Sequence, residues 1–402
     1  MSEHTADAGR ISFLYVLGQV ALQGGFYGFV VSMPVVLSRS GVPDSTIGIV
    51  VGVAAMVQIP AAIVGGALVD RFGPIRLLAA GALAYVAGTC LLIPPLDGSR
   101  TLVPFVIARI AQGIGFGLIA PAYFAALLEV SAASRRGIAL ALAASAQTLS
   151  LTIMPPLSLL VLGSHEQLTG VSMTVLALVL AGSAMVLGRL RGVRAWTGPA
   201  PAGRVARRFG IALRRSWVPS LAIILLYLVH WGSITAYLPQ RAEQAGIDAG
   251  VFFVADGLAV LASRVPSGWL ADRFSTRWLV MSGLVATAIA LCLLTLWVTV
   301  PGLVIAGILT GGGSGLVVTP LYVDLSHLSD GGDRGSAFAL ASAALAGALV
   351  IGSVGAAPVV AVAGFNGALL TTLVALGLAA AVAMTSTSGK MPAQTVAHDM
   401  KH

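Results

Sequence analysis

Charge is what this 402-residue chain has least of. Only 9% of its residues are Asp, Glu, Lys or Arg, against roughly 25% in a soluble domain. That shortage excludes a water-soluble enzyme, and the mean hydropathy of +0.95 agrees. Lysine is nearly missing, since 21 of the 23 basic residues are Arg. Cysteine occurs twice, as Cys90 and Cys292, each inside an apolar run. Two residues so placed make neither a zinc site nor a disulfide framework, so each is expected to be a small buried hydrophobe. No metal-ligand cluster, nucleophile–histidine pair or phosphate loop is visible, and the run GGGSG at 311–315 has no lysine to complete a P-loop. Neither a cofactor, nor a metal, nor catalysis is therefore expected. The net charge of +8 calls for no nucleic acid, because that reading needs a soluble basic face.

What the chain has instead is hydrophobic residues, at 57%, and 48 glycines. A helical span needs about 20 apolar residues, and apolar runs between polar breaks predict spans at 12–37, 45–66, 77–95, 101–127, 138–162, 171–188, 217–239, 250–268, 278–299, 301–325, 336–360 and 364–385. The expected fold class is an all-α membrane protein of twelve transmembrane helices. With both termini on one side, that side and its loops collect 18 of the 23 basic residues, while the opposite loops hold only Arg39, Arg100 and Arg241. The positive-inside rule then makes both termini cytoplasmic. The apolar stretch after MSEHTADAGR is too long for a signal-peptide core, so no cleavage is expected.

One long polar segment, 189–216, is rich in Arg, Pro and Gly and reads as a basic cytoplasmic linker along the anionic leaflet. It separates a six-helix bundle over 1–188 from a second over 217–402, which ends in a short polar tail. The halves repeat each other. Gly66-Ala-Leu-Val-Asp70-Arg71-Phe72 matches Gly268-Trp-Leu-Ala-Asp272-Arg273-Phe274 at an offset of 202 residues. Gly115-x-Gly117-Leu118 matches Gly313-x-Gly315-Leu316 at an offset of 198. Parallel six-helix repeats of this kind build one large class of secondary transporters.

These motifs resemble the major facilitator superfamily, and the resemblance runs the length of the chain. The family's loop motif between spans 2 and 3 appears as GALVDRFGPIR from Gly66 to Arg76, including Gly73, and its echo as GWLADRFSTR from Gly268 to Arg277, with Ser275 in place of the first copy's Gly73. The span-4 motif appears as Arg109-Ile-Ala-Gln112-Gly113-Ile-Gly115. Gly66 and Gly268 are expected to let helices approach closely. Asp70, Arg71, Arg76, Asp272 and Arg273 form a cytoplasmic gate motif, a latch that needs only about 1–3 kcal/mol to bias a two-state equilibrium. Span 5 departs from the drug/proton antiporters: SAQTLSLTIMPPL keeps Pro155 and Pro156 but lacks their glycines.

Ionisable groups inside spans suggest a path or relay. Arg109, with Gln112 one turn on, is read as an anion or proton-relay contact, or else as a hub bonded to backbone carbonyls. Asp256 and Arg264 share span 8 but lie about 12 Å apart along it, too far for a direct pair. Asp256 is the first choice for proton coupling. His230 and Trp231 of span 7, the stripe Tyr15, Gln19, Gln23 and Tyr27 of span 1, and Asp324 at the end of span 10 are further cavity candidates, with Glu129 and His327 as gate or interface residues. The expected function is export of a small amphipathic metabolite or drug by alternating access, in exchange for protons. The alternative is uptake or exchange of a small organic anion, suggested by the two intramembrane arginines, and a non-transport sensor on the same scaffold comes last. The partners implied are a small-molecule substrate, protons and membrane lipid, with a monomer in a bacterial inner membrane.

Overall fold

A computed structural model describes residues 2–94, 101–130, 136–163, 167–190, 214–328 and 334–385. The first half runs α1 (Ser2–Arg39), α2 (Asp44–Phe72), α3 (Pro74–Cys90), α4 (Val103–Val130), α5 (Arg136–Leu162) and α6 (Thr169–Leu190). The second runs α7 (Val218–Gln244), α8 (Gly250–Arg273), α9 (Thr276–Leu296), α10 (Val300–His327), α11 (Arg334–Val350) and α12 (Ala357–Thr385), with a π-helical turn at Ile351–Gly355 between the last two. Among the described residues, eight helices are long and apolar enough to cross a membrane: α1, α2, α4, α6, α7, α9, α10 and α12. The expectation of twelve spans is thus met in part. Of the other four, α3 (Pro74–Cys90) is shorter, α5 and α11 enter only through the apolar stretches Leu149–Leu162 and Ala343–Gly355, and α8 carries Asp256 and Arg264.

Boundaries follow local chemistry. Gly73 ends α2 at φ 82°, where a side chain is disfavoured, and Pro74 opens α3, its missing N–H costing nothing at a first helical position. The second-half copy turns differently, with Phe274 and Ser275 extended and no positive φ. Thr299 caps α10 by accepting from Gly302 N at 3.3 Å. The expected break at 361–363 is corrected: the chain leaves α11 through the π turn, and α12 starts at Ala357 ahead of Pro358, with Gly364 (φ 58°) as an internal kink.

The outer surface is apolar, as lipid requires: Leu83, Leu160, Leu296 and Val362 are all exposed, Val362 by 90%. Cys90 and Cys292 lie on that surface too, which corrects the expectation that they are buried. An all-apolar helix gives no sign in sequence of which face looks outward.

Helices pack chiefly within each half: α2 and α3 on α4, α1 on α5 and α6, then α8 and α9 on α10, α7 on α11 and α12. Since apolar surface gains nothing by leaving lipid for protein, close backbone approach has to hold such helices. Glycine provides it. A methyl group added at Gly113 would sit 2.5 Å from the Ala54 carbonyl oxygen of α2, and one at Gly117 2.6 Å from Ala61 Cβ. On the other side of α4, Gly115 would meet the Gly81 carbonyl of α3 at 2.6 Å. Helix α10 repeats the pattern: Gly307, Gly311 and Gly315 face α8, and Gly313 faces Gly283 of α9. By contrast, Gly268 has nothing within 4 Å of an added methyl group. The expected close approach at Gly268 is therefore corrected, and in the first copy Gly65 sits beside the Gly117 carbonyl of α4.

Neighbouring glycines separate packing from helix propensity. Gly311→Ala presses a methyl group onto Asp256 O and Ala259 Cβ, while Gly312→Ala meets open space. Overpacking costs about 1–3 kcal/mol, so Gly311→Ala should lower the thermal midpoint in detergent by several degrees, and Gly312→Ala should leave it equal or higher.

Candidate functional site

The halves meet at one end of the bundle, the end remote from the start of α1. Arg39 closes α1 there, and its Nε donates to Glu243 Oε1 of α7 at 2.9 Å while Nη2 donates to Gly163 O at 3.1 Å. This ion pair is partly exposed, at 18% for Arg39 and 39% for Glu243. Below it, the Tyr237 hydroxyl of α7 donates to the Ser353 carbonyl of the π turn, and both crowd Gly48 of α2. Gly52, one turn on, faces Ser353 and Val354. Across the bundle Gly257 of α8 receives Thr152 of α5. These contacts make a distal seal. Its members lie far apart in sequence, and only the loop placement of Arg39 hinted at any of them.

Inside the seal, α1 and α7 are the most enclosed helices: 94% and 72% of their most apolar stretches are buried, against 39% for α2. The polar stripe of α1 is buried, with Gln19 and Gln23 at 2% and 5% exposure. The Oε1 atoms of both lack a hydrogen-bond partner. Tyr27 accepts from Gln147 Nε2 of α5 at 3.4 Å. The Tyr15 side chain lies outside the described residues.

Arg109 is buried, and it is held rather than presented to open space. Its Nη2 donates to the Val51 carbonyl of α2 at 2.8 Å, its Nη1 to Gln112 Oε1 at 3.0 Å, and the guanidinium lies 5.8 Å from the centroid of the Phe26 ring. This is the hub arrangement, tying α4 to α2, with Nε left over.

The second half carries a buried carboxyl at the corresponding depth. Thr310 Oγ1 of α10 donates to Asp256 Oδ1 at 2.6 Å. The Tyr227 hydroxyl lies 3.2 Å from Thr287 Oγ1, and the His230 ring rests on Tyr227 at 4.6 Å between centroids with Nδ1 2.6 Å from the Tyr227 carbonyl. A carbonyl only accepts, so Nδ1 bears the proton in this geometry. Trp231 packs edge-on against Phe253. Asp324 does not reach into this region: Thr276 Oγ1, at the start of α9, donates to its Oδ1 at 3.1 Å. This bond ties α9 to α10 beside the loop motif's second copy.

In that motif Arg71, Arg76 and Arg273 are exposed, and Arg273 stacks 3.8 Å above the Trp269 ring. The side chains of Asp70, Asp272 and Glu129 lie outside the described residues, as do 191–213 of the expected linker and the tail from 386.

Comparison with known proteins places this geometry. The family model described as Major Facilitator Superfamily matches residues 15–259 and 245–398. The chain belongs to the Major Facilitator Superfamily. It is thus a multi-pass membrane transporter rather than an enzyme. A stretch of 137 residues is 31% identical to the "Uncharacterized MFS-type transporter YfiU" of Bacillus subtilis (strain 168), covering 34% of this chain and 26% of that protein, so the match spans about a quarter of the relative's length. Two solved structures share the fold at low identity. A crystal structure of the peptide transporter POT in complex with sulfate has a TM-score of 0.73 at 13% identity over 93% of each chain. A crystal structure of a D-xylose-proton symporter has a TM-score of 0.69 at 18% identity, over 92% of this chain and 96% of that one.

An exposed ion pair contributes about 0–1 kcal/mol, so Glu243→Gln should raise the population with the distal end open by up to about fivefold. With Cys90 and Cys292 replaced by Ala, maleimide labelling of Ser353→Cys, at a site 3% exposed behind the seal, should speed up by that factor. Unchanged labelling would show that the pair carries none of the seal.

Proposed function

We propose that this protein is a proton-coupled secondary transporter that carries a small amphipathic molecule across a bacterial inner membrane by alternating access. The six-helix bundles are the moving bodies, joined through 189–216, and the basic terminus side is cytoplasmic. In that frame the distal seal faces outward and the motif around Asp70 and Asp272 latches the opposite side.

The observation that carries the coupling is the position of Asp256. It is bonded to Thr310 and immediately precedes Gly257, which touches the other half. Thr310 has one hydroxyl proton and three acceptors within reach: Asp256 Oδ1 at 2.6 Å, and the Ala306 and Gly307 carbonyls at 3.0 Å each. With Asp256 ionised, that proton belongs to the carboxylate. With Asp256 protonated, the carboxyl itself can donate to Thr310 Oγ1, whose proton turns back to its own helix. A proton on Asp256 thus rearranges the α8–α10 contact next to the seal, a two-state element that a ligand can bias.

Export in exchange for protons is the leading direction. A second reading, uptake or exchange of a small organic anion, is favoured by Arg264, which has no ion-pair partner among the described residues.

Counterflow in proteoliposomes, screening amphipathic cations, neutral molecules and carboxylates against protein-free liposomes, identifies a carried substrate. An imposed pH gradient then reports direction: export requires accumulation on the acidic side, uptake with protons accumulation on the alkaline side. Asp256→Asn should abolish gradient-driven accumulation and flatten its pH dependence while exchange remains measurable. Gradient-driven flux that survives in Asp256→Asn would remove the coupling assignment.

A further inference from the structure

A groove of about 250 Å³ lies between α8, α9 and α10 and opens on the apolar outer surface, where Ile308 on its rim is exposed. Its walls include Pro266, Ser267 and Leu270 of α8, Ala286 of α9, and Gly312 and Leu316 of α10. A methyl group added at Gly312 meets nothing within 4 Å, so this glycine, unlike Gly311 beside it, serves no helix contact and gives the groove its depth. A compact drug-sized ligand fills roughly 300–1,000 Å³. The groove is smaller, and its shape suits one narrow apolar chain.

Two polar features break that apolar lining. Ser267 is fully buried, yet its Oγ has no hydrogen-bond partner. Ser263, one turn earlier, gives its own hydroxyl to the Val260 carbonyl at 3.1 Å. A buried hydroxyl left unbonded is costly, and an acceptor lying in the groove would complete this one. Arg273 is seven residues beyond Pro266, on the same face of α8 and about 10 Å farther along it. Its guanidinium stacks 3.8 Å from the Trp269 ring, which turns it back along α8 toward the groove. Trp269 and Trp278 are both exposed at this end, and exposed tryptophans mark the depth of lipid headgroups.

We propose that this groove is a binding site for an anionic phospholipid. One acyl chain lies along Gly312, an ester oxygen accepts from Ser267 Oγ, and the phosphate meets Arg273. In the orientation given above the lipid belongs to the cytoplasmic leaflet. Gly312 is two residues past Thr310, so a chain seated there braces the α8–α10 contact from the membrane side, whatever substrate is carried.

The test titrates the purified full chain in detergent with palmitoyl-oleoyl phosphatidylglycerol, with phosphatidylcholine of the same chains, and with glycerol phosphate, reading the thermal unfolding midpoint. Phosphatidylglycerol should raise the midpoint and half-saturate at a concentration about fivefold lower than phosphatidylcholine. Glycerol phosphate, which has no chain, should not shift it. Arg273→Gln should abolish the preference between the two lipids and Arg273→Lys should keep it. Ser267→Ala should weaken both lipids about fivefold. Gly312→Leu fills the groove and should remove both responses, while Gly377→Leu, at another glycine open to lipid on α12, should leave them intact. Unliganded midpoints and gel filtration report folding, and if Gly312→Leu does not fold, the Arg273 and Ser267 variants carry the test. Equal binding of the two lipids by the parent chain, no response to phosphatidylglycerol, or a matching response to glycerol phosphate overturns the proposal. So does an undiminished response in Gly312→Leu, or an undiminished preference in Arg273→Gln. Transport does not enter this measurement, so its outcome and that of the coupling test on Asp256 are separate.

Discussion

In lipid, a helix gains nothing by burying apolar surface against another helix, so this fold depends on how closely backbones can approach. Glycine sets that distance throughout, but it does two different jobs. Within the halves, Gly113, Gly115 and Gly117 of α4 and Gly307, Gly311, Gly313 and Gly315 of α10 seat each of these helices on two neighbours. Between the halves, Gly48 receives Tyr237 and the Ser353 carbonyl, Gly52 receives Ser353 and Val354, and Gly257 receives Thr152. The first kind of packing covers whole helix faces and resists sliding. The second joins α1 to α7, α2 to α7, α11 and α12, and α5 to α8, with less contact than the packing within each half and one partly exposed ion pair.

The repeat is faithful in this scaffold and not in its polar cargo. Gly81 against Gly115 in the first half is answered by Gly283 against Gly313 in the second. At the level of Gln112 the second half has Thr310, and these two serve opposite charges. Gln112 accepts from Arg109, while Thr310 donates to Asp256. The same exchange marks α3 and α9: Tyr85 donates to the Gly25 carbonyl of α1, whereas in the second half the tyrosine, Tyr227, stands on α7 and meets Thr287 of α9. Duplicated backbone geometry has been kept where packing needs it. The most deeply buried arginine and the buried aspartate stand in different halves, Arg109 in the first and Asp256 in the second.

Most of the helices and the glycine repeat were legible in the sequence because apolar run length and glycine spacing are local signals. So was the burial of Gln19, Gln23 and Asp256, since polar groups in an apolar helix have to turn inward. Facing was less legible. Cys90 and Cys292 lie in apolar stretches, where no periodicity separates the lipid face from the core. Asp324 was assigned to the cavity from its depth alone, and its partner Thr276 sits at the turn into another helix. Arg39 with Glu243, and Tyr237 with Ser353, pair across more than a hundred residues, a separation that no local pattern encodes.

Charge balance on α8 bears on the two readings of what is carried, an amphipathic molecule in exchange for protons or a small organic anion. Moving between open states takes the halves through a closed one in which this helix is poorly hydrated, and net charge there is costly. Arg264 and ionised Asp256 sum to zero, so the empty helix can make the passage. A carboxylate on Arg264 alone leaves a net negative charge, and a proton on Asp256 alone leaves a net positive one. With both bound, the sum returns to zero. The cheap passages are thus those of the empty carrier and of the carrier holding proton and carboxylate together. That rule is symport, and it assigns the two substrate classes opposite directions. If a carboxylate occupies Arg264, protons and substrate travel the same way and the inward proton gradient drives uptake. Export in exchange for protons instead requires a cation that replaces the proton at Asp256; cation and proton then each carry a net positive charge through the closed state, so that direction also needs a barrier to the neutral empty carrier.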